Sequence, residues 1–381
     1  MMGRHFAAVA ARWGELVNPI GRPEIVAVCN RSEEPLRWFR ERLPEGTRYA
    51  NDYRAVLEDR DVEAVYIAVP HAMHEEVAVA AIEAGKHVII EKPCGIDRKA
   101  AEAILAASQR QPNVFVRCAS QFPFFPAAQR IARLIEGGAF GTIVEAQTGL
   151  LHSSDLDQNK PINWKRTVAA NGEYGVLGDL GMHACHLPLR AGWRPRNVRA
   201  VMSNVFTERR NAQGRTVPCD TWDHATLLID AEDAARGGQR FPWTLRTSRI
   251  AAGSRNAWYV EILGTRGGAR YSTASPNRFE LLEYQGGAEQ SWRTIEAGYE
   301  TAFPTITGPI FEFGFNDALP QMWAAYVTEL LDAACAPATA RCLTLNEAVA
   351  AHALFDAALA SQRHGTVIDV DYRGKSTTNS R

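Results

Sequence analysis

The first third of the chain alternates short apolar segments with amphipathic ones, and this alternation limits the possible folds more than any other feature. The apolar segments are rich in β-branched residues and predict strands, whereas the segments between them have the apolar spacing of helices. Strands of this kind, separated by helices, are typical of a parallel sheet that helices cover on both faces. The predicted strands are 24–30, 62–70, 87–93 and 113–120, and the predicted helices are 34–43, 51–59, 74–85 and 98–110.

Several predicted helix ends are marked by residues that favour the start or the end of a helix. Asp97 is a predicted N-cap, because its carboxylate can accept a hydrogen bond from a free N–H of the following helical turn. Asn51 or Asp52 is the predicted N-cap of an earlier helix. Gly85 and Gly365 are predicted to end helices, because glycine readily adopts the left-handed backbone conformation found there.

The pattern changes near residue 120. A predicted helix and a long alternating strand are followed by polar loops and further alternating strands, which favour a mostly antiparallel sheet with one solvent-exposed face. A length of 381 residues is also large for a single core. The sequence therefore predicts an α/β nucleotide-binding domain over 1–120, an α+β domain over 121–370, and a polar tail over 371–381.

Composition excludes several classes of protein. The formal net charge is -1, so the chain has no basic excess of the kind that binds nucleic acid or a membrane surface. No apolar run approaches the roughly 18 to 20 residues of a membrane span. The seven cysteines form no C-x-x-C motif. This usage predicts reduced thiols in a cytoplasmic protein.

Ligands of such parallel sheets bind beyond the carboxyl ends of the strands. Glu91, Lys92 and Pro93 stand at one of these ends. A Lys–Pro bond can be cis, which would fix the direction of the lysine, and the ammonium can donate to a hydroxyl or carbonyl oxygen. The alternative is an ordinary surface turn.

A second cluster lies within 171–193. Asp179, His183 and His186 have the spacing of one helix face, so Asp179 can accept a hydrogen bond from His183 and raise its basicity. That arrangement is typical of a general acid–base histidine. The alternatives are a capping aspartate with core histidines, or a metal site; we expect no metal.

Two motifs, taken together, resemble a known family. The first contains "AVP", "HAMH" and "AIEAGKHVIIEKP", and the second is "GVLGDLGMHACH". Their order and spacing resemble the glucose–fructose oxidoreductase, inositol dehydrogenase and MocA (Gfo/Idh/MocA) family, and the similarity extends over nearly the whole chain. The resemblance implies a Rossmann domain, a second domain with a large open sheet that often serves oligomerisation, and NAD or NADP as the cofactor. It also implies hydride transfer to or from a sugar or polyol.

The resemblance assigns roles to individual residues. Lys92 matches the lysine that hydrogen-bonds the reacting oxygen, and Asp179 and His183 match the aspartate and the acid–base histidine. Such a histidine can take a proton from an alcohol while the nicotinamide accepts hydride. The positions implied to contact the cofactor are Val69, Pro70, His74, Glu91, Lys92, Pro93 and Gln121, and those implied to face the substrate are Trp164, Lys165 and Arg166.

The sequence departs from the family pattern in two places. His186 stands where the family often has an aspartate, and it is a candidate substrate contact. Asn30, Arg31 and Ser32 follow the first predicted strand, where an acidic residue would usually bind the ribose diol. Because no carboxylate stands in that stretch, Arg31 and Ser32 can receive a phosphate, so NADP and NAD are both candidates. The alternative is an arginine on a solvated loop.

The first residues also bear on the cofactor. In the motif G-x-G-x-x-G the third glycine lets the first helix pack closely on the sheet, and Gly3 resembles that glycine. We expect the strand and the two glycines before it to belong to a longer chain, or the cofactor site to be impaired. The alternatives to a sugar or polyol oxidoreductase are a non-catalytic relative and a non-redox sugar enzyme with tightly held NAD.

Overall fold

The computed structural model describes residues 1–297, 300–308 and 311–373. The chain forms two compact units, each assembled from two separate stretches of chain: unit 1 comprises Met1–Arg130 and Ala297–Leu345, and unit 2 comprises Ile131–Glu296 and Asn346–Arg381. The predicted boundary at residue 120 followed the order of the chain, whereas the compact units are discontinuous. Most of the predicted tail lies outside the described residues.

The secondary structure follows the predicted alternation, with shorter strands. The helices are α1 (Met2–Ala11), α2 (Glu33–Arg40), α3 (Tyr53–Glu58), α4 (His74–Glu83), α5 (Arg98–Arg110), α6 (Pro126–Glu136), α7 (Val168–Asn171), α8 (Met182–Arg190), α9 (Phe315–Leu331) and α10 (Leu345–His364). The strands are β1 (Ala27–Cys29), β2 (Arg48–Ala50), β3 (Ala64–Ile67), β4 (His87–Ile90), β5 (Val116–Cys118), β6 (Ile143–Leu151), β7 (Trp193–Ser203), β8 (Glu208–Arg210), β9 (Thr216–Pro218), β10 (His224–Asp233), β11 (Gln239–Ser248), β12 (Ala257–Gly264), β13 (Gly267–Ser272), β14 (Arg278–Glu283), β15 (Arg293–Glu296) and β16 (Ile368–Asp369).

The strands of unit 1 are parallel, as predicted. They pair as β1-β2 and as β3-β4-β5. In the doubly wound order 3-2-1-4-5-6 these pairings correspond to positions 3-2 and 4-5-6. Strand β2 was not predicted, because it is short, half-exposed and lacks an apolar run. The parallel pairing brings the carboxyl ends of β3, β4 and β5 to one edge of their sheet.

The predicted helix ends are confirmed. The carboxylate of Asp97 accepts a hydrogen bond from the Ala100 N–H at 2.8 Å, and that of Asp52 accepts one from the Arg54 N–H at 3.0 Å. Gly85 and Gly365 have φ angles of 74° and 68°, in the region that favours glycine.

A late stretch of chain belongs to unit 1 because it binds the edge strand β5. The backbone N–H of Cys118 donates to the Leu343 carbonyl at 2.9 Å, and Arg117 forms an ion pair with Glu329 of α9, also at 2.9 Å. The Phe6 ring of α1 stacks on Trp323 of α9 with ring centroids 4.0 Å apart. These contacts place α1 and α9 in one core.

Unit 2 is built on the mostly antiparallel sheet that the alternating strands predicted, and this sheet is large and open, as the family resemblance implied. Nine strands pair in the order β15-β14-β13-β12-β6-β11-β10-β7-β16, and all pairs are antiparallel except β6 with β11. One face is buried, with Trp243 and Trp258 among its fully buried side chains. The indole of Trp258 donates to the His183 carbonyl at 3.0 Å, so this face of the sheet holds α8 in place.

Candidate functional site

The turn after β4 presents a lysine at the carboxyl edge of the unit 1 sheet. Lys92 is half-buried, and the Lys92–Pro93 peptide is cis, as the sequence suggested. Beside it, the buried Glu91 carboxylate accepts a hydrogen bond from the Tyr66 hydroxyl at 2.5 Å. Burial, together with the charge of Glu91, raises the pKa of Tyr66 well above its usual value, so the phenol stays protonated and remains a donor.

His74 lies behind the same turn. Its imidazole is completely buried, with Nδ1 2.8 Å from the Pro93 carbonyl oxygen and Nε2 3.0 Å from the Val69 carbonyl oxygen. Burial lowers the pKa of His74, although the two carbonyl contacts oppose that shift. Both ring nitrogens therefore face the backbone of the loops after β3 and β4. The predicted contribution of His74 to cofactor binding would act through that backbone.

The other predicted positions at this edge differ in exposure. Val69 and Pro70, in the loop after β3, are half-exposed, whereas Gln121, after β5, is buried and begins a short 3-10 turn. All of them belong to unit 1. The parallel sheet accounts for their common location, since its strands end at the same edge.

The loop after β1 is exposed, with a positively charged side chain in the loop and negatively charged ones directly after it. The Asn30 side chain accepts from the Ser32 N–H at 3.0 Å, and its carbonyl accepts from the Asn51 side chain at 3.0 Å. Arg31 and Ser32 are exposed, but the first turn of α2 adds the carboxylates of Glu33 and Glu34 directly after them. Glu33 is paired with Arg40 at 3.0 Å. The carboxylate of Glu34 opposes a 2′-phosphate and suits a ribose diol, which favours NAD over NADP at these residues.

Gly3 lies in the first turn of α1, but its packing is loose. A Cβ atom built at Gly3 would lie 3.6 Å from the Phe39 ring, which is an ordinary van der Waals contact. The close packing that the glycine motif predicted is therefore not found at this position. A role for Gly3 would have to come from the approach of a ligand to the backbone.

In unit 2, Asp179 is held as an anion. It is 1% exposed, and Lys165 Nζ lies 2.9 Å from Oδ1 and 3.0 Å from Oδ2. The buried Arg249 guanidinium donates to Oδ2 at 3.3 Å. Two cations against one buried carboxylate favour its ionised form.

The segment that carries Asp179 is not a simple α-helix. Leu177–Gly181 forms a π-helical turn, and α8 begins at Met182. Asp179 therefore lies in the π-helical turn, and His183 and His186 follow it in α8. Both histidines are buried in α8, at 3% and 1% exposure. π-Helical turns are frequent at functional sites.

The partners of Asp179 are themselves fixed by the backbone. Arg249 donates to the Lys165 carbonyl at 2.7 Å and to the Gly175 carbonyl at 3.3 Å, and the Thr221 hydroxyl donates to the Lys165 carbonyl at 3.0 Å. Lys165 is thus held through its main chain, while its side chain is 36% exposed. The sequence did not predict Arg249, which lies far from Asp179 in the chain and directly after β11.

His152 is a second polar group beside this cluster that the sequence did not predict. Burial, followed by the positive charges of Arg249 and Lys165, lowers the pKa of His152 to about 4, against the opposing charges of Asp179 and Asp155. The backbone N–H of Ser154 donates to Nδ1 at 3.3 Å, so the proton of the neutral ring resides on Nε2. His152 is therefore a neutral donor at physiological pH. Its one sequence signal is its position directly after a predicted strand.

The four predicted substrate contacts differ, and the Lys165 side chain is 36% exposed. Trp164 is 38% exposed, whereas Arg166 is completely buried and His186 nearly so. The Arg166 guanidinium is engaged with the protein: it pairs with the buried Asp223 and donates to the Phe206 carbonyl at 2.9 Å. Lys165 and Trp164 are thus better placed than Arg166 to meet a ligand from solution.

The part of the chain that the structure describes contains neither a metal-binding cluster nor a membrane-spanning helix. No group of three or more His, Cys, Asp or Glu side chains there has the arrangement of a metal site. None of the helices there combines the length and the apolar character needed to span a bilayer.

Comparison with known proteins agrees with this architecture. The family model described as "Oxidoreductase family, NAD-binding Rossmann fold" matches residues 2–118, and the "GFO/IDH/MocA C-terminal domain" model matches residues 128–270. Levoglucosan dehydrogenase of Pseudarthrobacter phenanthrenivorans is 28% identical over 277 residues, which cover 69% of this chain and 67% of that protein.

Solved structures show the same fold over almost the whole chain. An oxidoreductase domain protein from Kribbella flavida superposes with a TM-score of 0.84 at 24% identity, covering 97% of this chain and 96% of that one. A levoglucosan dehydrogenase in complex with NADH and L-sorbose gives a TM-score of 0.83 at 24% identity, with the same coverage. The two family models together cover more than half of the sequence, and the predicted resemblance is confirmed: the chain belongs to the Gfo/Idh/MocA family of NAD-binding oxidoreductases.

Proposed function

We propose that this protein is a dehydrogenase that transfers a hydride between NAD and a secondary alcohol or ketone of a sugar or polyol. The observation that supports this most strongly is Asp179, a buried carboxylate paired with two cations and placed four residues before His183 in a family of NAD-binding oxidoreductases. A fixed anion near a histidine is the arrangement that general acid–base catalysis requires.

The residues at the carboxyl edge of the unit 1 sheet fit a dinucleotide. When bound, the nicotinamide ring supplies the hydride chemistry. The exposed loop after β1, with carboxylates in the adjoining helical turn, suits the ribose of NAD. The residues that would hold the cofactor are Gly3, Asn30, Arg31, Ser32, Val69, Pro70, Glu91, Lys92, Pro93 and Gln121.

Lys92, His183 and Asp179 have different roles in proton transfer and in the stabilisation of charge. Lys92 donates a hydrogen bond to the reacting oxygen and stabilises negative charge that develops on it. His183 takes the alcohol proton during oxidation and returns it during reduction. Asp179 stays ionised throughout, because Lys165 and Arg249 both pair with its carboxylate. Its role towards His183 is to favour the imidazolium that forms when the alcohol proton is taken up.

The groups exposed around Asp179 suit a hydroxyl-rich ligand. The Trp164 ring offers an apolar face to sugar C–H groups, the Lys165 ammonium donates hydrogen bonds, and His152 Nε2–H adds a neutral donor. The name of one relative specifies levoglucosan, and a solved neighbour holds L-sorbose. These names favour carbohydrates and related polyols as the substrate class.

We also infer a homo-oligomer that forms through the outer face of the large sheet. Val201 of β7 and Leu228 of β10 are 59% and 56% exposed on that face. The location inferred from the cysteines is the cytoplasm, since no disulfide joins any of the seven in the described residues. Light scattering coupled to size-exclusion chromatography tests the assembly, and monomers for both wild type and Val201→Asp would contradict it.

The function is tested with purified protein, NAD and a panel of aldoses, ketoses, polyols and anhydrosugars. Net formation of reduced nicotinamide, monitored by absorbance, is the expected result, and Lys92→Ala and His183→Ala should each abolish it. Conversion of a sugar without net reduced cofactor would instead indicate a non-redox reaction. Absence of turnover and of NAD binding would support a non-catalytic relative.

A further inference from the structure

His74 connects the backbones of two loops at the carboxyl edge of the unit 1 sheet. Nδ1 lies 2.8 Å from the carbonyl oxygen of Pro93, which follows Lys92 after β4. Nε2 lies 3.0 Å from the carbonyl oxygen of Val69, which follows β3. Both distances are within the normal range for N–H···O hydrogen bonds. The imidazole is completely buried, so water does not compete for either contact.

The ionisation state of His74 determines whether its ring can donate a hydrogen bond to both carbonyl oxygens. A backbone carbonyl accepts hydrogen bonds and has no proton to donate. A neutral imidazole carries one N–H and one lone pair, so it can satisfy one of the two carbonyl oxygens and faces the other lone pair to lone pair. An imidazolium donates to both. Both contacts, to Pro93 and to Val69, are therefore hydrogen bonds when the ring carries two protons.

We propose that His74 is a positioning residue for Lys92, which ties the loops after β3 and β4 together with one hydrogen bond when its ring is neutral and with two when its ring is protonated. The bridge itself follows from geometry alone. Its effect on catalysis rests on the proposed function, in which Lys92 contacts the reacting oxygen.

Neighbouring groups determine the pH at which the His74 ring gains its second proton. Burial, and then the charge of Lys92, lower the pKa of His74, whereas the carbonyl contacts raise it. The His71 ring also lies close by, with its centroid 5.4 Å from that of His74. The second proton is thus acquired below the ordinary histidine range. The neutral form stabilises the fold fully above a pH of about 6.5, and that contribution is lost as the pH falls through the lower pKa of the folded state.

The direct test is nitrogen NMR of the full chain with ¹⁵N-labelled histidine, with His74 assigned by comparison with His74→Gln. At neutral pH we expect one protonated and one unprotonated ring nitrogen. On acidification both should become protonated, with a midpoint below the ordinary histidine value of about 6.5. An ordinary midpoint, or a ring that stays neutral at every pH at which the protein is folded, would overturn the proposal. If His74→Gln does not fold, variants of the other histidines provide the assignment.

Kinetics test the positioning role. His74→Leu, which removes both contacts, should lower kcat roughly 10- to 100-fold with little change in KM for the sugar, because a small displacement of a catalytic group is costly. His74→Gln keeps an N–H donor that does not titrate, so it should retain more activity and lose the pH-dependent step.

The matched control is His87→Gln. His87 also bonds the backbone, accepting from the Phe115 N–H at 3.0 Å, but it stands at the opposite end of β4. This variant should keep the wild-type kcat and pH profile. Equal kinetic effects of the His74 and His87 variants would overturn the positioning role. If the wild-type protein shows no turnover, the proposed function fails while the NMR titration still decides the bridge.

Discussion

Lys165 Nζ lies almost equally close to both carboxylate oxygens of Asp179, at 2.9 Å and 3.0 Å. The carboxylate is buried and the lysine side chain is 36% exposed, so the pair extends from the interior of unit 2 to its surface. Arg249 contacts the same carboxylate from the buried side. The anion that is assigned to support His183 is therefore fixed from two directions.

Removal of the Lys165 ammonium should impair catalysis more than folding. Lys165→Met leaves Asp179 with Arg249 as a charged partner, so we expect a loss of about 1–3 kcal/mol in the free energy of unfolding. The kcat should fall at least ten-fold, because Asp179 is held less rigidly. Urea denaturation and steady-state kinetics measure the two effects. Lys165→Arg should recover most of the activity, and an unchanged kcat in Lys165→Met would show that the pair is not needed for catalysis.

Arg166 should behave as a structural residue in spite of its predicted contact with the substrate. Arg166→Met leaves the completely buried Asp223 without its cation, which typically costs about 3–5 kcal/mol. The matched control is Arg278→Met, whose exposed pair with Glu296 should contribute less than about 1 kcal/mol. Thermal denaturation compares the two. A stable Arg166→Met protein with a raised KM for the sugar would restore the predicted substrate role.

Lys165 and Arg166 show which structural features the sequence could predict and which it could not. Strand and helix periodicity predicted the parallel sheet of unit 1 and the mostly antiparallel sheet of unit 2, because both depend on local apolar patterns. The same patterns cannot determine which of two adjacent cations points inward. That choice depends on Asp223, which lies on a different segment and becomes a neighbour after folding.

The contacts of Asp179 could not be predicted from the sequence for the same reason. The spacing of an α-helix was the basis for pairing Asp179 with His183, and it carried no signal of the π-helical turn that occupies Leu177–Gly181. Arg249 comes from the end of β11, and no local pattern connects it to the motif. Unit 1 was likewise predicted as one continuous stretch, because Cys118 and Leu343 become neighbours through a backbone contact that leaves no periodic signal.

His152 should contribute to the pH dependence of stability in acid. Its pKa of about 4 lies below the ordinary value of about 6.5, so the neutral ring stabilises the fold above 6.5. That contribution is lost as the pH falls from 6.5 towards 4, by up to about 2–3 kcal/mol. His152→Gln should therefore lose less stability than wild type over this range. Parallel denaturation curves for the two proteins at every pH would contradict the assignment.

Gly3 allows a separate test of the cofactor edge. Because a Cβ atom there would make an ordinary contact with Phe39, Gly3→Ala should not destabilise the chain, and in a helix it should add up to about 1 kcal/mol. If the backbone of α1 approaches the cofactor, the methyl group will raise the Kd for NADH at least several-fold. Isothermal calorimetry measures that Kd, and thermal denaturation provides the stability. Ala8→Gly, on the exposed face of the same helix, is the control that should weaken α1 without changing the Kd. An unchanged Kd in Gly3→Ala would remove Gly3 from the residues proposed to hold the cofactor.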